Sequence, residues 1–383
     1  MKKTLLLTLS HLFVAILATV ATLAVTFGLD SFAPGKLNQL ESLIQERFIG
    51  EADRTAMEDA AANAMVESLG DRWSYYIPAD QFDTHKETME NAYVGIGITI
   101  LAREDGSGFS IEAVTEGGGA EEAGLLPGDL IIGVAGEDVR GMDINQTRAL
   151  VRGKEGSTVS VTVIREEQEL TVQVERRRFE TPVATGELLD GGFGLVTIEN
   201  FDERCASETI AAIEELLSQG AESLIFDVRG NPGGYASELT DLLDYLLPEG
   251  EIFHTVTYDG TENIDYSDAA CLDSPMAVLV NADSYSAAEF FAAALQEYGA
   301  AVVVGTPTSG KGYFQNTYRL TDGSAVGLSI GKYYTPQGKN LQDVGITPDI
   351  VSEVDEETYL NIYYGRLTPG EDPQVQAAIQ ALS

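Results

Sequence analysis

Apolar strands that alternate with amphipathic helices are the feature that most constrains how the second half of this chain can fold. Short apolar runs of strand length occupy residues 193–198, 223–228, 276–281 and 301–304, and helical apolar spacing occupies residues 207–219, 236–247 and 286–298. Strands that alternate with helices in this way form βαβ units, in which helices cover a parallel sheet. The pattern therefore predicts an α/β domain.

Glycine-rich turns separate a series of shorter strands in the region before this alternation. Strands are predicted at residues 93–100, 108–114, 129–134, 159–164 and 170–174, and helices at residues 119–124 and 144–152. Such short strands with two helices indicate a compact, partly open β-barrel. Upstream, residues 37–70 carry helical periodicity and predict a helical region.

The charge of the chain excludes one class of partner. Acidic residues outnumber basic ones 61 to 23, which gives a formal net charge of −38. A nucleic-acid backbone requires a basic face, so we exclude a nucleic-acid partner. With 44% apolar residues over a length of 383, the chain is typical of a globular protein of two or three domains.

The N-terminus has the pattern of a membrane segment. Lys2 and Lys3 precede an apolar stretch at residues 5–27, which is long enough to span a bilayer as a helix. The basic residues favour an N-terminus on the inside, and no clear Ala-x-Ala cleavage site follows. We therefore expect a single-pass anchor in the cell membrane, rather than a cleaved signal, and an extracytoplasmic body. There Cys205 and Cys271 have a compartment that permits a disulfide, and the sequence leaves their pairing open.

Ser286 follows an apolar strand and opens a predicted helix. A helix N-terminus offers free N–H groups and positive potential, so the N–H of Ala287 is a candidate donor to an oxyanion. The segment also fits a capping box, in which Ser286 and Glu289 serve only to cap the helix. Ser284 is a rival nucleophile on the same turn.

Lys311 is the candidate base for such a serine. None of the three histidines lies in a motif that is typical of catalysis. Residues 305–311 match the G-x-x-x-x-G-K pattern of a phosphate-binding loop, but Gly312 follows where that loop needs Ser or Thr, and residues 313–320 alternate as a strand. A lysine base must be neutral, which requires desolvation. We expect Gln315 to lie on the same strand face as Lys311 and to hold its amine.

Two glycine-rich segments are further candidates for binding. In the turn at residues 227–234, Gly233 is the candidate for a second oxyanion donor, although the segment also fits a tight turn alone. The segment at residues 93–97 also fits a simple strand entry. Alternatively, the N–H groups around Tyr93, Gly95, Ile96 and Gly97 would capture a terminal carboxylate, and the next strand would pair with an extended peptide.

Together these segments resemble the carboxyl-terminal processing peptidases, a family of tail-specific serine proteases with a PDZ domain. The resemblance runs from about residue 37 to 352 and includes residues 70–76, 93–97, 124–129, 151–156, 227–234, 308–312, 332–338 and 343–349. It implies Ser286 as nucleophile, Lys311 as general base and Gln315 as its orienting partner. The spacing between Ser286 and Lys311 agrees with the family and favours Ser286 over Ser284. Tyr285 and Ala288 depart from the usual Ser-Ala-Ser-Ala-Ser-Glu sequence, which puts substrate preference in doubt more than activity.

The resemblance also implies an α+β multidomain architecture with a crotonase-like α/β serine protease core and a PDZ domain that binds substrate C-termini. The predicted parts are a membrane anchor or signal at residues 1–29, a helical region at 30–90, the PDZ domain at 91–178, the catalytic domain at 179–355 and a tail at 356–383. We predict a serine endopeptidase for proteins or peptides with free apolar C-termini, with no metal or nucleotide cofactor. A non-catalytic PDZ scaffold is the alternative, a nucleotide hydrolase is a distant third, and a homo-oligomer is left open.

Overall fold

A computed structural model of the chain describes residues 35–103 and 105–383. The chain divides into two compact units, with the boundary between Tyr76 and Ile77. The predicted anchor at residues 5–27 lies outside the described residues. Within the described ranges, no helix is both long enough and apolar enough to cross a membrane.

The first unit is helical, as predicted, but its helical region is interrupted. It contains α1 (Lys36–Arg47), α2 (Arg54–Glu67) and the start of β1 (Tyr75–Ile77). Asp53 begins α2, because its carboxylate accepts hydrogen bonds from the N–H groups of Thr55 and Ala56. The hydroxyl of Tyr76 donates to Asp59 at 2.6 Å and ties the end of the unit back to α2.

A further helix, α3 (Phe82–Met89), falls within the helical region predicted at residues 30–90. The PDZ region predicted at residues 91–178 contains β2 (Ala92–Gly95), β3 (Ile98–Ala102), β4 (Phe109–Val114), α4 (Gly119–Glu122), β5 (Leu130–Val134), β6 (Glu137–Asp138), α5 (Ile144–Val151), β7 (Thr158–Arg165), β8 (Gln168–Glu175) and the start of β9 (Arg177–Glu180). Strand order β3-β4-β5-β7-β8 forms one antiparallel sheet, and β2 pairs separately with β9. The single strand predicted at residues 93–100 is wrong. Gly97 has a φ of +79°, and this left-handed residue turns the chain between β2 and β3.

The α/β region contains β10 (Ala184–Leu189), β11 (Phe193–Ile198), α6 (Cys205–Ser218), β12 (Ser223–Asp227), α7 (Ala236–Leu246), β13 (Gly250–Thr257), β14 (Glu262–Ser267), β15 (Met276–Val280), α8 (Ala287–Tyr298), β16 (Ala301–Gly305), β17 (Tyr313–Arg319), β18 (Ala325–Tyr334), β19 (Ile350–Val351), α9 (Glu356–Tyr363) and α10 (Pro373–Leu382). Its main sheet has the order β10-β11-β12-β15-β16-β19. All neighbours from β11 onward are parallel, which confirms the predicted βαβ units.

A second, antiparallel sheet was not predicted. In it β18 pairs with β17 on one side and with β13 on the other, and β13 pairs with β14. The sheet brings the ring of Tyr333 against Phe290 of α8 and Phe253 of β13, at centroid distances of 4.7 and 5.5 Å. It therefore packs directly against the helix that follows Ser286.

The two cysteines do not pair. Cys205 is fully buried at the start of α6, where burial raises the pKa of its thiol to about 12, whereas Cys271 is exposed. Both thiols are free.

Candidate active site

Ser286 occupies a strained position at the entrance to α8. Its backbone has φ +60° and ψ −127°, a combination that a residue with a side chain rarely adopts. The strand β15 ends six residues earlier, and α8 begins directly after Ser286. The serine therefore lies on a sharp strand-to-helix turn, where strain is typical of functional residues.

The carboxylate of Glu289 joins the segment of Ser286 to the segment of Lys311. One oxygen, Oε2, accepts the backbone N–H of Ser286 at 3.0 Å and that of Lys311 at 2.8 Å. The other oxygen, Oε1, accepts the hydroxyl of Thr308 at 2.5 Å and the N–H of Gly310 at 2.7 Å. Glu289 is fully buried, and desolvation raises its pKa. The predicted capping glutamate is present and also connects two loops distant in sequence.

The hydroxyl of Ser286 hydrogen-bonds to the hydroxyl of Tyr333. The two oxygen atoms lie 2.8 Å apart, and both residues are buried. Burial raises the pKa of Tyr333 well above its usual range, so this phenol is neutral. Among the described residues, the side chain of Ser286 is thus held by Tyr333 instead of by Lys311.

Lys311 lies before β17 rather than within it. Its side chain is half-buried, and its Nζ atom lies 5.8 Å from the ring centroid of Tyr285. The expectation that Lys311 and Gln315 share one strand face is wrong, because β17 begins at Tyr313 and its pairing shifts register between Phe314 and Gln315.

The amide of Gln315 is engaged by its own sheet. Its Nε2 atom donates to the carbonyl of Tyr313 at 3.1 Å and to the hydroxyl of Ser329 at 2.9 Å. Its role as the partner that orients Lys311 remains a prediction.

Gly233 lies directly against the nucleophile candidate. A Cβ atom at this position would lie 2.7 Å from the Cβ atom of Ser286 and 2.8 Å from the nitrogen of Ala287, and the φ of Gly233 is +85°. Only glycine permits this contact. The N–H of Gly233 donates to Oδ1 of Asn231 at 2.8 Å. Ala287 is the first residue of α8, so its N–H has no partner within the helix.

The rival serine, Ser284, is held in the loop by hydrogen bonds to the backbone. Ser284 is fully buried, and its hydroxyl donates to the carbonyl of Val228 at 2.7 Å. It also accepts the N–H of Asn281 at 3.1 Å. These bonds tie the loop before Ser286 to the end of β12, and they leave Ser286 as the serine of the strained turn.

Of the four binding residues predicted in the PDZ region, Tyr93 and Gly95 belong to β2, and Ile96 and Gly97 form the turn between β2 and β3. The ring of Tyr93 stacks on Phe179 at 5.3 Å, and Gly95 ends β2. Ile96 is buried, and its carbonyl accepts the N–H of Ala120 at 2.8 Å. Gly97 precedes β3, which is an edge strand of its sheet among the described residues and has one backbone side open for pairing there.

Sequence reasoning missed Tyr333 and the full role of Glu289. The segment at residues 332–338 was noted for its resemblance, but no local pattern places a phenol beside Ser286. For Glu289, the S-x-x-E spacing indicated only the cap. No group of three or more His, Cys, Asp or Glu residues able to hold a metal occurs within residues 35–103 and 105–383.

Comparison with known proteins identifies both domains. The model of peptidase family S41 matches residues 192–352, and a PDZ domain model matches residues 110–165. The carboxy-terminal processing protease CtpA of Bacillus subtilis is 31% identical over 367 residues, which cover 92% of this chain and 78% of that protein. A carboxyl-terminal-processing protease of Synechocystis sp. is 30% identical over 349 residues, which cover 89% of this chain and 81% of that protein.

A solved structure shares the fold. The match to a putative S41 protease from Bacteroides fragilis has a TM-score of 0.51 at 17% identity, over 91% of this chain and 97% of that chain. At this identity the match supports the mixed α/β architecture alone. Family model and curated relatives together show that the chain belongs to peptidase family S41, with a PDZ domain, and is a serine-type carboxyl-terminal processing peptidase.

Proposed function

We propose that the chain cleaves proteins near their C-termini with a Ser286–Lys311 dyad. The observation that carries this proposal is the Glu289 carboxylate, one oxygen of which binds the backbone N–H groups of both residues. Two loops far apart in sequence are thereby held next to each other at a strained serine. A serine nucleophile needs a base within reach, and the lysine lies in the adjacent loop.

In the proposed reaction, Oγ of Ser286 attacks the scissile carbonyl carbon while its proton passes to the neutral amine of Lys311. The N–H groups of Ala287 and Gly233 donate to the resulting oxyanion. Collapse of the tetrahedral intermediate breaks the C–N bond, and the leaving amine takes the proton from Lys311. Water then hydrolyses the ester on Ser286, with Lys311 again as base.

Two hydrogen bonds must change for this reaction to begin. The hydroxyl of Ser286 must turn from Tyr333 toward Lys311, and the N–H of Gly233 must exchange Asn231 for the oxyanion. The form in which Ser286 bonds to Tyr333 and Gly233 bonds to Asn231 is therefore taken as the resting form of the proposed site.

The PDZ domain is proposed to bind the free C-terminus of the substrate. The open edge of β3 supports this role, because an extended peptide can add to an exposed sheet edge. The segment that includes Gly95, Ile96 and Gly97 lies directly before that edge and would receive the terminal carboxylate.

We also propose that the catalytic part lies outside the cytoplasm, held at the cell membrane by residues 5–27. The support is the apolar length of this stretch and the two lysines before it. An added protease tests this location, when it is applied to intact cells whose outer membrane surface has been made accessible. We expect it to digest the catalytic domain. Protection of the catalytic domain from an added protease would contradict it.

Cleavage of an unfolded protein tests the mechanism and the recognition of tails together. The substrate is prepared with a free or an amidated C-terminus and incubated with wild type, Ser286→Ala and Lys311→Ala. Lys332→Ala is the control, because this exposed lysine neighbours Tyr333 but has no proposed role. We expect each dyad variant to lose about 10³-fold or more in kcat.

Two outcomes would contradict separate parts of the proposal. Equal rates for wild type and Ser286→Ala would contradict the mechanism and support a protein that only binds C-termini. Equal rates on free and amidated substrates would contradict tail recognition and leave the dyad intact.

A further inference from the structure

The C-terminal segment packs onto the catalytic domain as part of its core. Val375 and Ala378 of α10 are buried against Ile225 of β12 and Leu279 of β15. This segment covers the face of the main sheet whose strands β12 and β15 lead into the two loops of the candidate site. We call residues 228–234 the glycine loop and residues 281–286 the nucleophile loop.

Arg229 connects the glycine loop to this C-terminal segment. Its guanidinium is almost fully buried and pairs with the carboxylate of Asp227. It also lies 2.8 Å from a carboxylate oxygen of Asp372 and donates to Oε1 of Gln374 at 2.9 Å. Gln374 in turn donates to the carbonyl of Ser352 at 2.7 Å. The adjacent carboxylates raise the pKa of Arg229, so the guanidinium stays charged.

The glycine loop is in turn bonded to the nucleophile loop. The N–H of Gly230 donates to the side chain of Asn281 at 2.9 Å, and the N–H of Tyr285 donates to the carbonyl of Asn231 at 3.1 Å. The hydroxyl of Ser284 reaches the carbonyl of Val228 at 2.7 Å. A displacement of either loop therefore moves the other.

A second contact runs from the C-terminal segment to the nucleophile loop. The hydroxyl of Tyr359 in α9 hydrogen-bonds to the carboxylate of Asp283. This contact and partial burial raise the pKa of Tyr359 to about 12. Residues of α9 and of the start of α10 thus each hold one of the two loops.

We propose that Tyr359, Asp372 and Gln374 form a clamp that positions the glycine and nucleophile loops for catalysis, with Asp372 as its main positioning residue. The proposal rests on the proposed function, because it assigns the clamp to the Ser286 site. Asp372 acts through Arg229 on the loop whose Gly233 touches Ser286. An oxyanion donor works only within a fraction of an ångström of its proper place, so a loosened loop lowers kcat.

A carboxylate-to-amide exchange separates this role from simple stabilisation of α10. Asp372→Asn keeps an acceptor for the N–H groups of Gln374 and Val375 that Asp372 now caps, but it removes the charge that faces Arg229. Glu371→Gln is the matched control, because Glu371 is exposed and its carboxylate accepts hydrogen bonds from the N–H and the hydroxyl of Thr368, outside the clamp. Each substitution replaces one carboxylate by a neutral amide, and the two positions are adjacent in the sequence.

The first readout is steady-state cleavage below the melting temperature of every variant. We expect Asp372→Asn to lower kcat about tenfold with KM within about twofold, and Glu371→Gln to match wild type. Arg229→Gln should lose a similar factor, and the double variant should lose no more than the worse single one, because both act through one contact. A KM effect alone, or full additivity, would overturn the proposal.

The second readout does not depend on activity. Amide hydrogen exchange of residues 229–234 should be faster in Asp372→Asn than in Glu371→Gln, with strands β15 and β16 unchanged. Unchanged exchange in the glycine loop would overturn the clamp whatever the chemistry of the site. If wild type and Ser286→Ala cleave equally, the proposed function fails, while the exchange result still decides the clamp.

A milder variant covers the case in which Asp372→Asn does not fold. Tyr359→Phe removes only the hydroxyl that contacts Asp283, and Tyr363→Phe is its control on an exposed ring of the same helix. We expect Tyr359→Phe to lower kcat about threefold and to speed exchange in the nucleophile loop. Identical kcat and exchange for the two phenylalanine variants would contradict the clamp.

Discussion

At the scale of single residues, the site depends on one carboxylate surrounded by donors. The two oxygens of Glu289 accept four hydrogen bonds, three of them from backbone N–H groups. The hydroxyls of Ser286 and Tyr333 form a second hydrogen-bonded pair. Each hydroxyl can rotate, so either one can be the donor. The carboxylate therefore fixes the backbone of the Ser286 and Lys311 segments, and the hydroxyl pair holds the side chain of Ser286, the proposed nucleophile.

Replacement of Glu289 by Gln should separate geometry from charge. An amide nitrogen would face two donors at one of the oxygen positions, which leaves buried N–H groups without an acceptor. We expect a loss of about 2–4 kcal/mol in the free energy of unfolding and a fall in kcat of at least about tenfold. Denaturant unfolding and cleavage rates measure both. Wild-type stability in this variant would show that the four bonds are not important.

Removal of the Tyr333 hydroxyl tests whether the resting form restrains the nucleophile. Tyr333→Phe keeps the ring packed on Phe290 but frees the Ser286 hydroxyl to turn toward Lys311. Since one hydrogen bond contributes about 0.5–1.5 kcal/mol, we expect kcat/KM to rise about 2–10-fold. Tyr334→Phe is the control, because the next ring of β18 packs on His254 instead. A loss of activity in Tyr333→Phe alone would assign the phenol a supporting role in the reaction.

At the scale of elements, two glycines of the glycine loop have different structural requirements. Gly230 and Gly233 both have positive φ, at +72° and +85°. A Cβ atom at Gly230 would meet nothing within 4 Å, whereas one at Gly233 would overlap Ser286 and Ala287. The two glycines of one loop thus differ in what they make room for.

This difference gives a matched pair of variants. Gly230→Ala adds only the strain of a side chain at positive φ, about 1 kcal/mol, and should keep activity within about threefold. Gly233→Ala should lower kcat by about 10²-fold or more, because the loop must move away from the nucleophile. Cleavage assays with melting temperatures for both variants check this. Similar activity of Gly230→Ala and Gly233→Ala would show that the close contact of Gly233 with Ser286 does not matter for cleavage.

At the scale of the whole molecule, one buried carboxyl links the PDZ region to the catalytic domain. Asp202, in the loop between β11 and α6, accepts the side-chain amide of Asn91 at 3.0 Å, and Asn91 and Asn200 exchange amide hydrogen bonds. Burial raises the pKa of Asp202 to about 7, although nearby Arg204 opposes the shift and Glu203 adds to it. The same loop continues through Phe201, which bonds to the carbonyl of Gly233.

The raised pKa predicts a pH dependence of stability. Between about pH 4 and pH 7 the folded state binds more protons at Asp202 than the unfolded state does, so the free energy of unfolding falls as pH rises through this window. Relative to Asp202→Asn, which does not titrate, wild type should lose about 2–4 kcal/mol from pH 4 to pH 8. Denaturant unfolding of both proteins at several pH values measures the difference. A constant difference across this range would contradict the shift.

Local patterns in the sequence predicted many of the elements and named the candidate residues of the site. Apolar periodicity depends on neighbouring residues, so it predicted the strands and helices of the βαβ units in the main sheet. The strand after Gly312 argued against a phosphate loop. Those patterns also singled out Ser286, Lys311 and Gly233, and the curated relatives confirm the family.

The tertiary structure alone decided how these parts meet. Glu289 between two loops, Tyr333 on Ser286, the register shift before Gln315 and the contact of Asp372 with Arg229 all join residues that lie on different elements. No local pattern carries such contacts, because they arise from tertiary packing: the second sheet packs against α8 in one core, and the C-terminal helix packs on the main sheet in another. The candidate residues of the site could therefore be named from the sequence, whereas the contacts that hold them required the fold.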